Sequence, residues 1–129
     1  MSNAERPVIL VVDDDVDLSG IIRLILTSAG FDTFVANSGQ EALDWLAANR
    51  PDLVLLDLMM PDINGFTILR KMRANEPTKQ LPIVVLTAKA DQETRDETRS
   101  MGADEFLTKP INANSMIDHV KRALAGRRR

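Results

Sequence analysis

Four short apolar segments of this chain each end in a charged or hydroxyl residue, and this pattern limits the possible folds more than any other feature. Each segment has the length and composition of a buried strand, and helical patterns lie between the segments. They are residues 8–12 before Asp13, 53–56 before Asp57, 83–86 before Thr87, and 106–108 before Lys109. Open parallel sheets bind ligands beyond the carboxyl ends of their strands, so these end residues are predicted to converge in one pocket.

The intervening segments carry the apolar periodicity of helices. Counting them with the strands gives five β-α repeats, and such alternation with right-handed crossovers predicts an α/β fold. The predicted architecture is a doubly wound, five-stranded parallel sheet with helices on both faces. The elements outside the four apolar segments are predicted as a helix over 16–29 stopped by Gly30, a strand over 31–36, a helix capped by Ser38 with Glu41, and helices around 66–72, 91–100 and 116–124.

The fourth of these helices is unusually polar. Its segment from Asp91 to Ser100 has no large apolar residue, and only Thr94, Thr98 and the following Met101 can face the sheet. Helices in proteins are stabilised mainly by burying an apolar face. We therefore expect this helix to open at a small fraction of the global unfolding free energy.

Composition narrows the class of protein. A chain of 129 residues with 44% hydrophobic residues is expected to form a single domain over 1–129. Its core is expected over about 7–125, with flexible ends that include Arg127 to Arg129. The absence of cysteine excludes disulfides and thiolate metal sites, and no apolar stretch suits a membrane span or a secretory signal. A cytoplasmic protein with no membrane partner is expected. A net charge of −3 predicts no direct nucleic acid binding.

The predicted pocket combines carboxylates with a cation and a hydroxyl. Asp13, Asp14 and Asp57 at neighbouring strand ends would raise one another's pKa, so a cation must lie among them. Oxygen ligands without histidine or cysteine suit Mg²⁺, which also binds phosphate oxygens. Lys109 supplies a point charge and Thr87 a hydroxyl for a phosphoryl group. Asp57, alone after its strand, is the best candidate nucleophile.

Ordinary structural roles are also open to these residue types. Aspartates after strands commonly form turns and helix N-caps, and Asp15 and Asp17 are assigned those roles. Thr87 could be a cap, and Lys109 a surface lysine. His119 is expected to be exposed and to have no catalytic or metal-binding role. The position of the four strand ends on one side of the sheet favours the functional interpretation for the pocket residues.

Four motifs together resemble the signature of two-component response-regulator receiver domains. They are the segments Val11 to Asp15, Leu56 to Gly65, Leu86 to Lys89 and Phe106 to Pro110. The resemblance covers roughly 7–125. It implies a flavodoxin-like sheet with strand order 2-1-3-4-5 and a phospho-accepting signalling module that, beyond catalysing its own phosphorylation and dephosphorylation, is not an enzyme.

The resemblance also implies roles for individual residues. Asp57 would take a phosphoryl group from the phosphohistidine of a histidine kinase or phosphotransfer protein, and Lys109 and Thr87 would contact that group. The implied Mg²⁺ ligands are Asp14, Asp57, the backbone carbonyl of Met59 and, through water, Asp13. A cis peptide bond between Lys109 and Pro110 is predicted, because the turn must direct Lys109 into the pocket.

Output is implied to come from a small rearrangement. Thr87 would move toward the phosphoryl group and Phe106 would turn inward, which changes the surface of helix 4, strand 5 and helix 5. A downstream protein, an output domain or a second copy in a homodimer is expected to bind there. Met59 and Lys89 flank the phosphoryl position in the family, and neither suits a water-orienting base, so slow hydrolysis of the aspartyl phosphate is predicted.

Three alternative functions stay open on the sequence, and all are disfavoured. An aspartyl-phosphate phosphatase would also use aspartates, Mg²⁺ and a lysine, but its nucleophile follows the first strand and it needs a cap domain. A flavin binder needs a phosphate loop after the first strand, where three aspartates would repel phosphate. A receiver that is never phosphorylated is disfavoured because Asp14, Asp57, Thr87 and Lys109 are all present.

Overall fold

The computed structural model describes residues 6–89 and 91–127, and within them the predicted five β-α repeats are confirmed. None of the described helices has the length and apolar character needed to cross a membrane. The elements are β1 (Val8–Val12), α1 (Val16–Ser28), β2 (Asp32–Ala36), α2 (Gly39–Ala48), β3 (Leu53–Asp57), α3 (Gly65–Ala74), β4 (Ile83–Thr87), α4 (Gln92–Ser100), β5 (Glu105–Thr108) and α5 (Ala113–Arg127).

All neighbouring strands pair in parallel, in the order β2-β1-β3-β4-β5 that the resemblance implied. The register places Asp57 beside Leu86 and Thr87 beside Thr108. The carboxyl ends of the central strands therefore lie at the same edge of the sheet. Asp13 follows β1 at this edge, and its backbone N–H extends the pairing with β2 by donating to the carbonyl of Ala36 at 3.1 Å.

Two apolar layers cover the sheet, one on each face. Side chains alternate along a strand, so Ile9 and Val11 face one layer while Leu10 and Val12 face the other. The first layer holds buried residues of α1 and α5, and the second holds buried residues of α2 and α3. This burial on both faces explains why the strands are continuous apolar runs rather than alternating ones.

Helix starts are fixed by N-cap side chains. Asp15 accepts the N–H of Leu18 at 3.0 Å, and Ser38 accepts that of Glu41 at 3.1 Å, so both predicted caps are confirmed.

The predicted end of α1 is one residue too late: Ala29 is the C-cap, followed by Gly30 at a φ of 103°. β2 begins at Asp32 rather than residue 31, because the N–H of Phe31 instead donates to Leu26 in the turn.

α4 has the polar character that the sequence predicts. Its only buried residues are Thr94 and Thr98, whereas α5 contributes buried Met116, Val120 and Leu124 to the core. The Thr98 hydroxyl donates to carbonyls of its own helix, those of Thr94 at 3.0 Å and of Arg95 at 3.1 Å. The buried face of α4 is thus narrow and made of hydroxyl-bearing side chains.

Candidate functional site

Three carboxylates meet at the carboxyl edge of the sheet, as predicted. Asp13, Asp14 and Asp57 each place one carboxylate oxygen within 4.8 Å of the others. Asp13 follows β1 and is 0% exposed, and Asp57 ends β3 and is 1% exposed, whereas Asp14 is exposed. Carboxylates are rarely buried this completely unless they are paired or bind a cation.

Lys109 bridges the two buried carboxylates. Its Nζ lies 3.2 Å from Asp13 Oδ2 and 3.3 Å from Asp57 Oδ2, with the lysine side chain 22% exposed. Its backbone N–H donates to the carbonyl of Thr87 at 2.9 Å, which fixes the residue directly after β5. The peptide bond to Pro110 is cis, as predicted. The interpretation of Lys109 as a surface lysine is therefore wrong.

The buried position changes how Asp57 titrates. Burial raises its pKa from 3.8 to about 6, and the negative charge of Asp13 adds to the increase. The N–H of Met59, which donates to Asp57 Oδ1 at 3.1 Å, and the Lys109 ammonium both act to lower that pKa. Burial alone would lower the pKa of Lys109, but the two carboxylates outweigh burial and raise it. The site thus favours extra positive charge.

The donor set fits a hard divalent cation. The Lys109 ammonium contacts two of the three carboxylates, and Asp13 Oδ2 is a buried atom that accepts no hydrogen bond of good geometry from the described residues. A cation that prefers oxygen ligands would satisfy this oxygen and reduce the repulsion. The backbone of Met59 lies against Asp57 through its N–H, but the role of its carbonyl as a metal ligand stays a prediction.

The two predicted switch residues lie on neighbouring strands beside the pocket. Thr87 is 0% exposed at the end of β4, directly after the residue that pairs with Asp57, and its hydroxyl oxygen accepts the N–H of Lys89 at 3.1 Å. Phe106 on β5 is half-buried and pairs with Val85. Their contact with a phosphoryl group and their movement stay predictions.

Sequence reasoning missed Asn37 as a positioning residue. Its side-chain amide donates to the backbone carbonyl of Asp13 at 2.8 Å and to the hydroxyl of Ser19 at 3.0 Å. These bonds hold the turn after β1 against the start of α1 and so orient Asp13. No feature of the sequence distinguishes Asn37 from an ordinary turn residue.

Asp62 and Gly65 shape the loop that follows Asp57, and the roles of both were missed from the sequence. The Asp62 carboxylate accepts the N–H groups of Gly39 and Gln40, each at 3.0 Å, and these bonds lower its pKa. A Cβ on Gly65 would lie 2.6 Å from the Cα of Leu58, so only glycine lets α3 begin this close to β3. Gly65, the last residue of the motif Leu56 to Gly65, was the sequence feature that could have indicated this close approach.

His119 is half-buried, so its expected exposure is wrong. Its Nδ1 lies 2.7 Å from the carbonyl of Ser115, and its Nε2 lies 3.7 Å from Glu105 on β5. The charged neighbours along α5 suggested a solvated face, but the helix presents this position to β5. Arg122 binds the same Glu105 at 3.1 Å, so His119 belongs to the contact between α5 and β5.

The chain belongs to the response regulator receiver domain family, which it matches over residues 9–121. Among solved structures, the receiver domain of the Francisella response regulator 1452 is similar, with a TM-score of 0.88 and 31% identity over 94% of this chain and 98% of that one. The chemotaxis protein CheY4 of Vibrio cholerae has a TM-score of 0.87 and 29% identity, covering 92% and 98%. These likenesses agree with the fold and the sheet order.

Curated relatives extend the same family assignment. The DNA-binding response regulator MtrA of Mycolicibacterium paratuberculosis is 41% identical over 119 residues, which is 92% of this chain and 52% of that protein. The phosphate regulon transcriptional regulatory protein PhoB of Pseudomonas aeruginosa is 33% identical and covers 90% and 51%. This chain therefore spans about half the length of these relatives.

Proposed function

We propose that Asp57 is the phospho-acceptor of a signalling switch, in keeping with the phosphoryl-accepting role of the receiver family. The observation that carries the assignment is the Lys109 ammonium held between buried Asp13 and Asp57. In this arrangement Asp57 has a cation next to one oxygen and a backbone N–H on the other. Apart from catalysing its own phosphorylation and dephosphorylation, the chain is proposed not to be an enzyme.

The proposed reaction is an in-line phosphoryl transfer. An Asp57 carboxylate oxygen attacks the phosphorus of a phosphohistidine, forming a P–O bond while the P–N bond breaks. The electron pair of the broken bond returns to the imidazole nitrogen, which takes a proton from solvent. Lys109 is proposed to stabilise negative charge on the transferring oxygens, and the Thr87 hydroxyl to donate to one of them. The product is an acyl phosphate on Asp57.

Mg²⁺ is the proposed cofactor. Asp14, Asp57 and the backbone carbonyl of Met59 would hold it, with Asp13 acting through water. Bound there, it would neutralise charge on the phosphoryl oxygens and offset the repulsion between the carboxylates. The buried Asp13 Oδ2, which lacks a well-formed hydrogen bond within the described residues, supports this assignment.

A histidine kinase or phosphotransfer protein is the proposed donor. Its histidine must approach the edge of the sheet where α1 begins. α1 exposes three large apolar side chains, Val16 at 66%, Ile21 at 52% and Leu24 at 70%. Large exposed apolar side chains that continue away from a reaction pocket suit a helical partner that carries the reacting residue to the pocket. We propose that the donor lies along this face.

The proposed output surface consists of α4, β5 and α5. A downstream protein or an output domain would bind there, and a homodimer through the same surface is a further proposed partner. The relatives MtrA and PhoB are named as a DNA-binding and a transcriptional regulator, and this chain covers about half of each. For this chain, which carries a net charge of −3, no direct nucleic acid contact is proposed. A cytoplasmic location is part of the same proposal.

Acetyl phosphate with Mg²⁺ tests the assignment. Intact mass spectrometry should show one phosphoryl adduct on the wild type, none on Asp57→Asn, and an unchanged adduct on Asp15→Asn, which alters a capping carboxylate just outside the pocket. Chelating the metal should abolish the adduct. An adduct that persists in Asp57→Asn, or one indifferent to chelation, contradicts the proposal.

A further inference from the structure

The side chain of Arg95 on α4 lies over the ring of Phe106 on β5. The guanidinium carbon is 4.7 Å from the ring centroid, within the range of a cation–π contact. Both residues are half-buried, so the contact is only partly screened by water. It therefore joins the polar helix α4 directly to the aromatic residue proposed to move on activation.

Other side chains of α4 contribute less to this junction. The helix has no large apolar residue, and its two buried threonines use their hydroxyl hydrogens locally. Thr94 donates to the N-cap residue Asp91 at 2.8 Å, and Thr98 donates to carbonyls of its own helix. An arginine that covers an aromatic ring contributes both its charge and its apolar stem to packing. Arg95 thus takes the place of the apolar contact that α4 lacks.

Cations from other elements already bind the acidic residues next to Phe106 in the chain. Glu105 is bound by Arg122 at 3.1 Å and lies 3.7 Å from His119 on α5. Asp104 is bound by Arg73 of α3 at 3.1 Å. These pairs reduce the negative charge of the carboxylates beside the ring.

The contact opposes inward movement of the ring. Phe106 pairs with Val85 on β4, and the fully buried Thr87 lies two residues further along that strand. A ring that moves further toward Thr87 would leave its position under the guanidinium of Arg95, which α4 carries. We propose that Arg95 is a positioning residue that holds Phe106 in this half-buried position and so sets how readily the domain activates.

This inference rests on the proposed phospho-acceptor function, since it concerns the regulation of that site. Removing the contact destabilises only the arrangement in which Phe106 lies under Arg95, which raises the population of the activated one. A ligand that binds only the activated arrangement then binds more tightly in proportion to that population. Arg95 thereby alters the affinity for a phosphoryl mimic without contacting it.

Beryllofluoride with Mg²⁺ is the probe, and its affinity is measured by titration calorimetry on each variant. Arg95→Gln removes the charge and should bind about threefold tighter than wild type, the size expected of a partly exposed cation–π contact. Arg95→Lys retains a cation and should stay near wild type. Arg99→Gln is the matched control, because Arg99 lies one turn along α4, is 72% exposed and pairs with Asp96. It should leave the affinity unchanged.

A double-mutant cycle separates this inference from the proposed function. Arg95→Gln and Phe106→Leu should be non-additive in urea unfolding of the unmodified protein, because each removes the same contact. Additive effects, or an Arg95→Gln affinity no tighter than that of Arg99→Gln, overturn the inference. If wild type itself fails to bind beryllofluoride, the phospho-acceptor proposal fails and the regulatory role of Arg95 fails with it, whatever the cycle shows.

Discussion

The acidic pocket and helix α4 both depart from the rule that charge lies outside and apolar surface inside, and they do so in opposite ways. The pocket buries Asp13 and Asp57 at the end of an apolar sheet, while α4 has almost no apolar face to bury. Neither arrangement maximises stability. The carboxylates of the pocket repel one another, a repulsion that a bound cation can relieve, and α4 is a surface with little to hold it in one conformation. Both regions are suited to respond to a ligand.

The largest expected effect concerns the stability of the pocket. The pKa of Asp57 is about 6 when folded and 3.8 ordinarily, so folding favours its protonated form. The stability that the folded protein gains from this preference for protonated Asp57 is fully present below the unfolded pKa of 3.8. It is lost as the pH rises through about 6. At pH 7.5 without divalent metal, Asp57→Asn should therefore be more stable than wild type by about 2 kcal/mol, after allowing for the lost Lys109 pair.

Urea unfolding measures this difference, and two conditions sharpen it. The gap should largely close at pH 3.5, where Asp57 is protonated in the folded state of wild type and mostly protonated in the unfolded state. Added Mg²⁺ should stabilise wild type more than the variant, because the variant lacks one proposed ligand. Asp15→Asn, which changes the exposed N-cap of α1, should have the same unfolding free energy as wild type under all these conditions. A variant less stable than wild type at pH 7.5 would show that the buried carboxylate is fully compensated.

A smaller effect is expected in the local opening of α4. Amides of residues 92–100 should exchange with solvent at least about tenfold faster than those of α1 and of 116–124, because α4 buries only two threonines of its own. Beryllofluoride with Mg²⁺ should then protect α4 more than it protects α1. Hydrogen exchange resolved by NMR measures both the exchange rates of the free protein and the protection gained with beryllofluoride. Equal protection of α4 and the core helices before activation would remove the contrast between the two regions.

The smallest expected effect concerns the lifetime of the phosphoryl group. Met59 is 60% exposed and Lys89 is exposed, so both can be replaced with little effect on folding. Asparagine and glutamate can orient water where methionine and lysine cannot, so Met59→Asn/Lys89→Glu should dephosphorylate several-fold faster. The control is Lys121→Glu, which makes the same charge change on the exposed side of α5. A double variant no faster than this control means that the flanking positions do not govern lifetime here.

Sequence predicted the strands and the pocket carboxylates well, for a physical reason. Both faces of β1, β3 and β4 are buried, so their apolar runs are unbroken and their ends are marked by the first charged or hydroxyl residue. Asp13, Asp57 and Thr87 are those end residues, and Lys109 follows β5, which is less completely buried. Their meeting follows from parallel strands alone.

Residues whose role depends on a distant backbone partner could not be predicted in the same way. Asn37 holds the carbonyl of Asp13, and Asp62 holds the start of α2, yet each looks like an ordinary polar loop residue. The half-burial of His119 depends on Glu105 across from α5, and the position of Arg95 depends on the ring of Phe106. Such pairs arise only once the elements pack, and no periodicity within one element reports them.

The most direct test of the central claim locates the modified atom itself. Borohydride reduces an acyl phosphate on aspartate to homoserine, so protein treated with acetyl phosphate and Mg²⁺, then with borohydride, can be digested and sequenced by mass spectrometry. We predict homoserine at residue 57 and nowhere else. Homoserine at Asp13 or Asp14, or none at all from protein that binds Mg²⁺, would contradict the assignment of Asp57 as the phospho-acceptor.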